Sequence, residues 1–386
     1  MPERLTLIVL LDALGHRQAS SPSFLPWCEA PRAPVRTVLG YSSAAIPTLL
    51  SGRWPEEHGH FAMYRRAVGD DRAFRGLAGP AALGARLTGR EWRFRRWIGS
   101  RLRARGITGY FALYDVPLEW LSEFDLCQRR DLFSPGAFEP AVGLADEITR
   151  AGGRIWNWGV PEDRAFRECG EEIDRGERSV LLLYTARLDA LMHAEGPESP
   201  STGLLLAEYD RRLSELRARA SKKYTDFRIF VFGDHGMAAV RSTVDLWSRL
   251  RALPLRFKRD YRYFLDSTMA RFWFENQRAR DLVLTLLADT PQGRVLDETE
   301  LRALGCWFPE ADYGETIFLL QEGAILLPSF MSGSPVRGMH GYHPDDAESS
   351  TTLVTNVVSG DGPADLRGIH ALVSADLGRG LPDSRP

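Results

Sequence analysis

Leu5-Thr6-Leu7-Ile8-Val9-Leu10-Leu11-Asp12 is an apolar, strand-forming run that ends on a carboxylate. It is too short for a leader peptide or a membrane span, so the expectation is a buried strand with an acid at its carboxyl end. Runs of the same kind recur at residues 154–158, 179–184, 227–232 and 351–358. Helix-period patterns fall at residues 80–87, 140–151, 162–169, 202–220, 278–287 and about 363–377. Strands alternating with helices predict an α/β fold with a mainly parallel central sheet and helices on both faces.

Two stretches break that rhythm. Residues 91–138 begin with a basic run, Arg93, Arg95, Arg96, Arg101, Arg103 and Arg105, and continue with Tyr110, Phe111, Tyr114, Trp120 and Phe124. They read as an inserted cap. Residues 256–330 hold a further strand at 270–275 and read as a small satellite packed on the core. The main unit is then assembled from residues 1–90, 139–255 and 331–386, and the end from residue 378 onward reads as frayed. The basic residues alternate with Trp97, Ile98 and Leu102. That pattern suits a phosphate-rich or lipid surface, or, as the plainer reading, a solvated amphipathic helix over the cap.

Of 386 residues, 44% are hydrophobic and 26% charged, a balance that allows a sizeable buried core. A formal net charge of -2 gives no bulk attraction to a nucleic-acid polymer, and none is expected as a partner. Cys28, Cys127, Cys169 and Cys306 are scattered without a C-x-x-C pair, so neither a disulfide framework nor a cysteine zinc site is expected. No stretch reaches membrane-spanning length, and a soluble cytoplasmic protein is the default expectation.

Asp12 is one of several acids placed at or just after a predicted strand. Asp189 and His193 follow the 179–184 strand, and Asp234 and His235 end the 227–232 strand. His340 sits in the loop Gly338-Met339-His340-Gly341-Tyr342 before the last strand. Open α/β sheets gather functional groups at the carboxyl ends of their strands. Three aspartates and three histidines suffice for two divalent ions with positions left for a substrate. Mixed imidazole and carboxylate ligation suits zinc, and manganese or iron can occupy such sites. Taken singly, each residue reads as a cap, a turn residue or a helical i,i+4 pair; their ordered recurrence is the signal.

Between the first two acids lies Ser42-Ser43-Ala44-Ala45-Ile46-Pro47-Thr48-Leu49-Leu50-Ser51-Gly52, small hydroxyl residues leading a short apolar helix. The first N–H groups of such a helix point at a bound anion. A hydroxyl there, beside a divalent cation, is a usable nucleophile; without the cation ligands it is an ordinary N-cap.

Together these segments resemble the alkaline phosphatase superfamily, nearest its type I phosphodiesterase and nucleotide pyrophosphatase branch. The resemblance covers nearly the whole chain outside the inserts. Trp54-Pro55-Glu56-Glu57-His58-Gly59 matches a P-x-x-H-G turn, and residues 189–197 match D-x-x-x-H-x-x-G-P. Gly233-Asp234-His235-Gly236-Met237 matches D-H-G-M, and Gly338-Met339-His340-Gly341-Tyr342 matches G-x-H-G-Y. The resemblance implies an alkaline phosphatase-like fold and a two-metal phosphoric-ester hydrolase. Counting back from Gly52 implies Ser42 as nucleophile, or Ser43 if the register shifts by one. One metal site is implied to hold Asp189, His193 and His340, and the other Asp12, Asp234 and His235. The implied reaction forms a phospho-serine that water then cleaves.

Some positions depart from that pattern. The Asn that the branch carries about twenty residues after its nucleophile is absent from Phe61-Ala62-Met63-Tyr64-Arg65-Arg66. Arg65 or Arg66 is the expected substitute in substrate binding, which would suit a dianionic monoester better than a diester. His343 stands where the branch has Asp after H-G-Y, and is expected to support the site without ligating. His58 is expected to support a turn, and His16 and His60 to line the pocket mouth. The leading expectation is hydrolysis of a small phosphodiester or nucleotide-type pyrophosphate. A phosphomonoesterase, phosphonate hydrolase or phosphoryl transferase is the alternative, and a non-catalytic phospholigand-binding relative is the reading from another class. Residues 42–46 lack the Cys and Arg of a sulfatase's C-x-P-S-R.

Overall fold

Alternation along the Arg4–Leu11 strand sets the layers. Leu5, Leu7, Val9 and Leu11 enter one core while Ile8 and Leu10 enter another, as the two-residue period of a strand buried on both faces requires. The computed structural model describes residues 3–70, 72–357 and 362–380. In it this strand pairs in parallel with Val180–Thr185 on one side and Asp226–Phe232 on the other. Arg154–Trp156 extends the parallel set beyond Val180–Thr185. The full order is Pro34–Val35, Thr351–Thr355, Asp226–Phe232, Arg4–Leu11, Val180–Thr185, Arg154–Trp156.

Thr351–Thr355 is antiparallel to its neighbour Asp226–Phe232. The strand was predicted to run to residue 358; it stops at Thr355, residues 356–357 bend away from the ladder, and residue 358 lies outside the described residues. The two-residue Pro34–Val35 strand was too short to give a periodic signal, and its proline sits at a sheet edge, where no ladder donor is needed.

Helices cover both faces. Glu162–Arg175, Arg187–Glu195 and Pro200–Ala220 pack Phe166, Cys169, Leu188, Met192, Leu205 and Leu213 on one face. Ser42–Ser51, Leu144–Arg150 and Leu366–Gly380 pack Ala45, Leu49, Ile148, Ile369 and Val373 on the other. The last helix runs through residue 378, where fraying was expected; residues 381–386 lie outside the described residues.

A second, antiparallel sheet orders Tyr261–Leu265, Met269–Phe274, Thr316–Leu320 and Gly293–Leu296. Its Phe264, Phe272 and Trp273 share one core with Ile98, Leu102 and Phe124 of the 91–138 stretch. The two inserts therefore pack on each other. The buried Ala78 and Ala81 of the Ala78–Thr88 helix, expected in the main unit, belong to this core as well.

Arg271 and Asp266 form a buried ion pair in this second unit. Arg271 Nε donates to Asp266 Oδ2 at 2.7 Å, and Arg271 Nη1 to the Tyr64 carbonyl at 2.8 Å. Arg271→Met is expected to cost about 3–5 kcal/mol of unfolding free energy in denaturant titration, because Asp266 would be left buried and unpaired. A cost below about 1 kcal/mol would count against the pair's structural role.

Candidate active site

Three parallel strands end side by side, and each hands the chain to a functional side chain. Asp12 follows Arg4–Leu11, Asp189 and His193 ride on the Arg187–Glu195 helix after Val180–Thr185, and Asp234 and His235 follow Asp226–Phe232. This is the carboxyl edge at which open α/β sheets bind ligands. His340 arrives from the loop after the short Gly338–Met339 strand. Gly341, at φ +87°, lets that loop pass tightly: a Cβ there would lie 2.6 Å from the Tyr41 ring. Tyr41 is itself tied to the second unit, its hydroxyl 2.8 Å from Thr268 Oγ1 and accepting from Thr268 N–H at 2.9 Å.

Tyr41 precedes the Ser42–Ser51 helix, whose first turn leaves backbone N–H groups without intrahelical acceptors. Ser42 Oγ lies 3.0 Å from His235 Nε2 and 3.5 Å from Asp12 Oδ1. Ser43 Oγ instead faces the Phe61 carbonyl at 3.5 Å. Of the two hydroxyls, Ser42 is the one turned to the cluster.

The ligand atoms of Asp189, His193 and His340 converge within 4.8 Å of one another, and so do those of Asp12, Asp189 and His235. Asp189 is thus common to both groups. Asp234 Oδ2 lies 3.2 Å from His235 Nε2, while its Oδ1 accepts the Ala13 N–H at 3.0 Å. His193 Nδ1 meets the Gly338 carbonyl at 2.8 Å, and His235 Nδ1 the Gly236 carbonyl at 2.9 Å. Those bonds assign the proton to Nδ1 in both rings and aim the Nε2 lone pairs inward. His193 Nε2 then faces Asp189 Oδ1 at 3.2 Å, and His235 Nε2 faces Asp12 Oδ1 at 3.5 Å. Lone pair meets lone pair at each of these contacts, and only a proton or a cation between them makes the contact favourable. Asp189 Oδ1, Asp234 Oδ2 and His340 Nδ1 are buried without a hydrogen-bond partner. The donor set fits divalent cations bound by imidazole and carboxylate.

The same crowding shifts the proton affinities of these groups. Burial, with the neighbouring Asp234 and Asp189 charges, pushes Asp12 well above the usual carboxylate range. Burial pushes Asp234 up to about 7. Burial and the His235 and His193 rings hold His340 well below the usual histidine value. For His193, burial works downward but the adjacent Asp189 carboxylate carries the ring above its ordinary value.

Arg65 and Arg66 do not reach the site. They lie on Tyr64–Arg66, paired antiparallel with Phe124–Leu126, where Arg65 faces Asp125 at 3.7 Å and Arg66 faces Glu275 at 3.3 Å. His16 and His60 do not line the cavity either. His58 does hold a turn: its Nε2 lies 3.0 Å from Thr48 Oγ1, and its Nδ1 accepts the His60 N–H at 3.1 Å. His343 is held by Glu300 at 3.3 Å, outside the cluster.

Sequence reading missed Tyr184, whose hydroxyl donates to Asp12 Oδ2 at 2.7 Å. Its position near the end of a predicted strand was the only available signal; in the sheet it pairs with Leu10, two residues before Asp12. Over the cluster opens a cavity of about 610 Å³, walled by Met63, Tyr110, Tyr114, Phe133 and Trp158 and reached by Ser42, Gln128 and Asp131.

The fold, with its acids and histidines gathered at the carboxyl edge of the sheet, is alkaline phosphatase-like. The chain belongs to the type I phosphodiesterase / nucleotide pyrophosphatase family, whose sequence model matches residues 37–307. That membership places it among hydrolases of phosphodiester or pyrophosphate bonds. A segment of 76 residues is 32% identical to an uncharacterized pyrophosphatase/phosphodiesterase of Schizosaccharomyces pombe, spanning 19% of this chain and 16% of that protein. Murine ectonucleotide pyrophosphatase/phosphodiesterase 5, solved as an inactive variant with AMP, superposes with a TM-score of 0.64 at 17% identity, over 100% of this chain and 98% of that one. The human counterpart gives 0.65 at 16% identity, over 97% and 95%. No helix among the described residues is long and apolar enough to cross a membrane.

Proposed function

We propose that the chain hydrolyses small phosphodiesters or nucleotide-type pyrophosphates through Ser42, with two divalent ions, zinc foremost, held by Asp12, Asp189, His193, Asp234, His235 and His340. The observation that carries this reading is the Ser42 hydroxyl, 3.0 Å from His235 Nε2 at the rim of a buried carboxylate–imidazole cluster and open to the cavity. Bound cations would compensate the carboxylates, lower the hydroxyl's pKa and neutralise charge on the phosphoryl oxygens.

Ser42 Oγ forms a bond to phosphorus as the bond from phosphorus to the leaving oxygen breaks. Water then cleaves the phospho-serine and restores the hydroxyl. The Ser42 and Ser43 N–H groups at the start of the Ser42–Ser51 helix would face the phosphoryl oxygens, the Ala44 and Ala45 N–H groups being taken by the Tyr41 carbonyl, and Tyr184 keeps Asp12 in orientation through its 2.7 Å hydrogen bond. Tyr110, Tyr114 and Trp158 offer flat faces to a leaving group, in keeping with the AMP bound by the murine structural neighbour. We read the packed stretches 91–138 and 256–330 as one lid that shapes this leaving-group space. Four unpaired thiols suit a reducing compartment, and a cytoplasmic location remains our proposal.

Diester over monoester is the preferred specificity. Arg187 is the one Arg or Lys among the cavity-lining residues described, and Glu162 at 3.2 Å and Glu208 at 3.2 Å already engage it. Nothing cationic from the side chains is left for the second charge of a monoester. In a panel of aryl phosphate mono- and diesters with added zinc or manganese, kcat/KM for the diester is expected to exceed that for the monoester by about 100-fold, roughly 2.7 kcal/mol. A monoester preference would transfer the assignment to a phosphomonoesterase on the same scaffold.

A further inference from the structure

Between Arg72 and Gly106 the chain carries ten arginines and a single acid, Glu91, although its net charge is -2. The segment folds as a helical hairpin, Ala78–Thr88 and Glu91–Ala104. Its inner side is anchored: Ala78, Ala81, Ile98 and Leu102 are buried in the second core. Phe94 packs so closely on Gly84 that a Cβ there would lie 2.3 Å from the ring. The one acid is spent on Arg95 in an i,i+4 pair. Arg86, Arg90, Arg93 and Arg96 are exposed and have no carboxylate partner among the described residues.

The outer side is apolar as well as basic. Leu83, Leu87 and Trp92 are 60%, 76% and 65% exposed, far more than large apolar side chains with an intramolecular role require. Leu83 and Leu87 share a helix face at i,i+4, and Trp92 opens the second helix just beyond the turn. We propose that this hairpin docks the protein on the surface of an anionic phospholipid bilayer, with the four arginines at the headgroups and Leu83, Leu87 and Trp92 inserted at the acyl boundary.

Both layers of the surface find a partner only there. A bilayer interface supplies anionic groups above a hydrocarbon boundary, which is the order that arginines flanking Trp and Leu match. A nucleic-acid backbone would take the arginines but leave the three apolar side chains in water. A second copy would oppose like charges. The hairpin is continuous with the Tyr110 and Tyr114 wall of the cavity, so docking would set the cavity mouth at a fixed orientation to the lipid surface.

Cosedimentation of the full chain with vesicles tests the proposal and needs no enzymatic readout. Binding is expected with phosphatidylcholine–phosphatidylserine vesicles and not with phosphatidylcholine alone. At about fivefold per arginine, the combined variant Arg86→Gln, Arg90→Gln, Arg93→Gln, Arg96→Gln is expected to bind at least about 100-fold more weakly. Trp92→Ala should lose about tenfold. Both variants should keep the wild-type circular dichroism spectrum and hydrolysis of a soluble aryl diester. Absence of phosphatidylserine-dependent binding by the wild type would overturn the docking assignment, as would undiminished binding by the folded variants. So would tighter binding to duplex DNA that Trp92→Ala leaves unchanged.

Discussion

Ser42→Ala is expected to lower kcat/KM for an aryl phosphodiester about 10⁴-fold, or ~5 kcal/mol of transition-state stabilisation, while leaving the fold and metal content unchanged. The expectation follows from what each hydroxyl can reach. Ser42 Oγ is 3.0 Å from His235 Nε2 and opens to the cavity; Ser43 Oγ is turned to the Phe61 carbonyl at 3.5 Å. Ser43→Ala should therefore change activity by less than about tenfold, since it touches no reacting atom. A Ser42→Ala protein with wild-type turnover would remove the phospho-serine from the reaction. A reversed pair of results would move the nucleophile one residue along. Rapid acid quench followed by mass analysis of the Ser42 peptide gives an independent reading, because a covalent phosphoryl group should appear on the wild type and be absent from Ser42→Ala.

The strand-end acids were legible because strands announce themselves locally. An apolar run that stops at Asp12 or Asp234 encodes both its own burial and the edge at which the acid emerges. Helices on both faces follow from the same runs, since Leu7 and Ile8 both need cover on opposite sides of the sheet. What failed to show locally was decided by partners distant in the chain. Arg65 and Arg66 sit within the right sequence distance of Ser42, yet their strand pairs with Phe124–Leu126 and their charges meet Asp125 and Glu275. Nothing near residue 65 specifies those contacts. The start of the cap was missed for a related reason: Ala78 and Ala81 are small and mark no strong apolar stripe, and the core they join is completed by Phe264 and Trp273 from the other insert. The role of Tyr184 depends on register alone, because a one-residue slip against the first strand would turn its hydroxyl away from Asp12.

Metal removal should both abolish activity and reverse the pH dependence of stability. In the metal-free fold, burial raises Asp234 to about 7 and lifts Asp12 well above its ordinary value. A carboxyl whose pKa is higher folded than unfolded favours the fold while protonated, and that contribution is lost as pH rises through the folded value. His340 works in the opposite sense, because its folded pKa is depressed, but above its ordinary value of about 6.5 it is largely neutral in both states, so from there through about 7 the carboxyls set the slope. Chelated protein is thus expected to lose thermal stability as pH rises through about 7. Zinc must displace the protons held on these carboxyls, so the stabilisation it confers should grow over the same interval. At a thousandfold excess over Kd it should reach about 4 kcal/mol. Asp189→Asn should respond least to added metal, since Asp189 belongs to both ligand groups and its loss weakens both. Thermal melts of chelated and zinc-loaded protein between pH 6 and 9 measure all of this. Melts that coincide across that range, with no ion retained by elemental analysis, would mean that protons alone hold the carboxylates and imidazoles together.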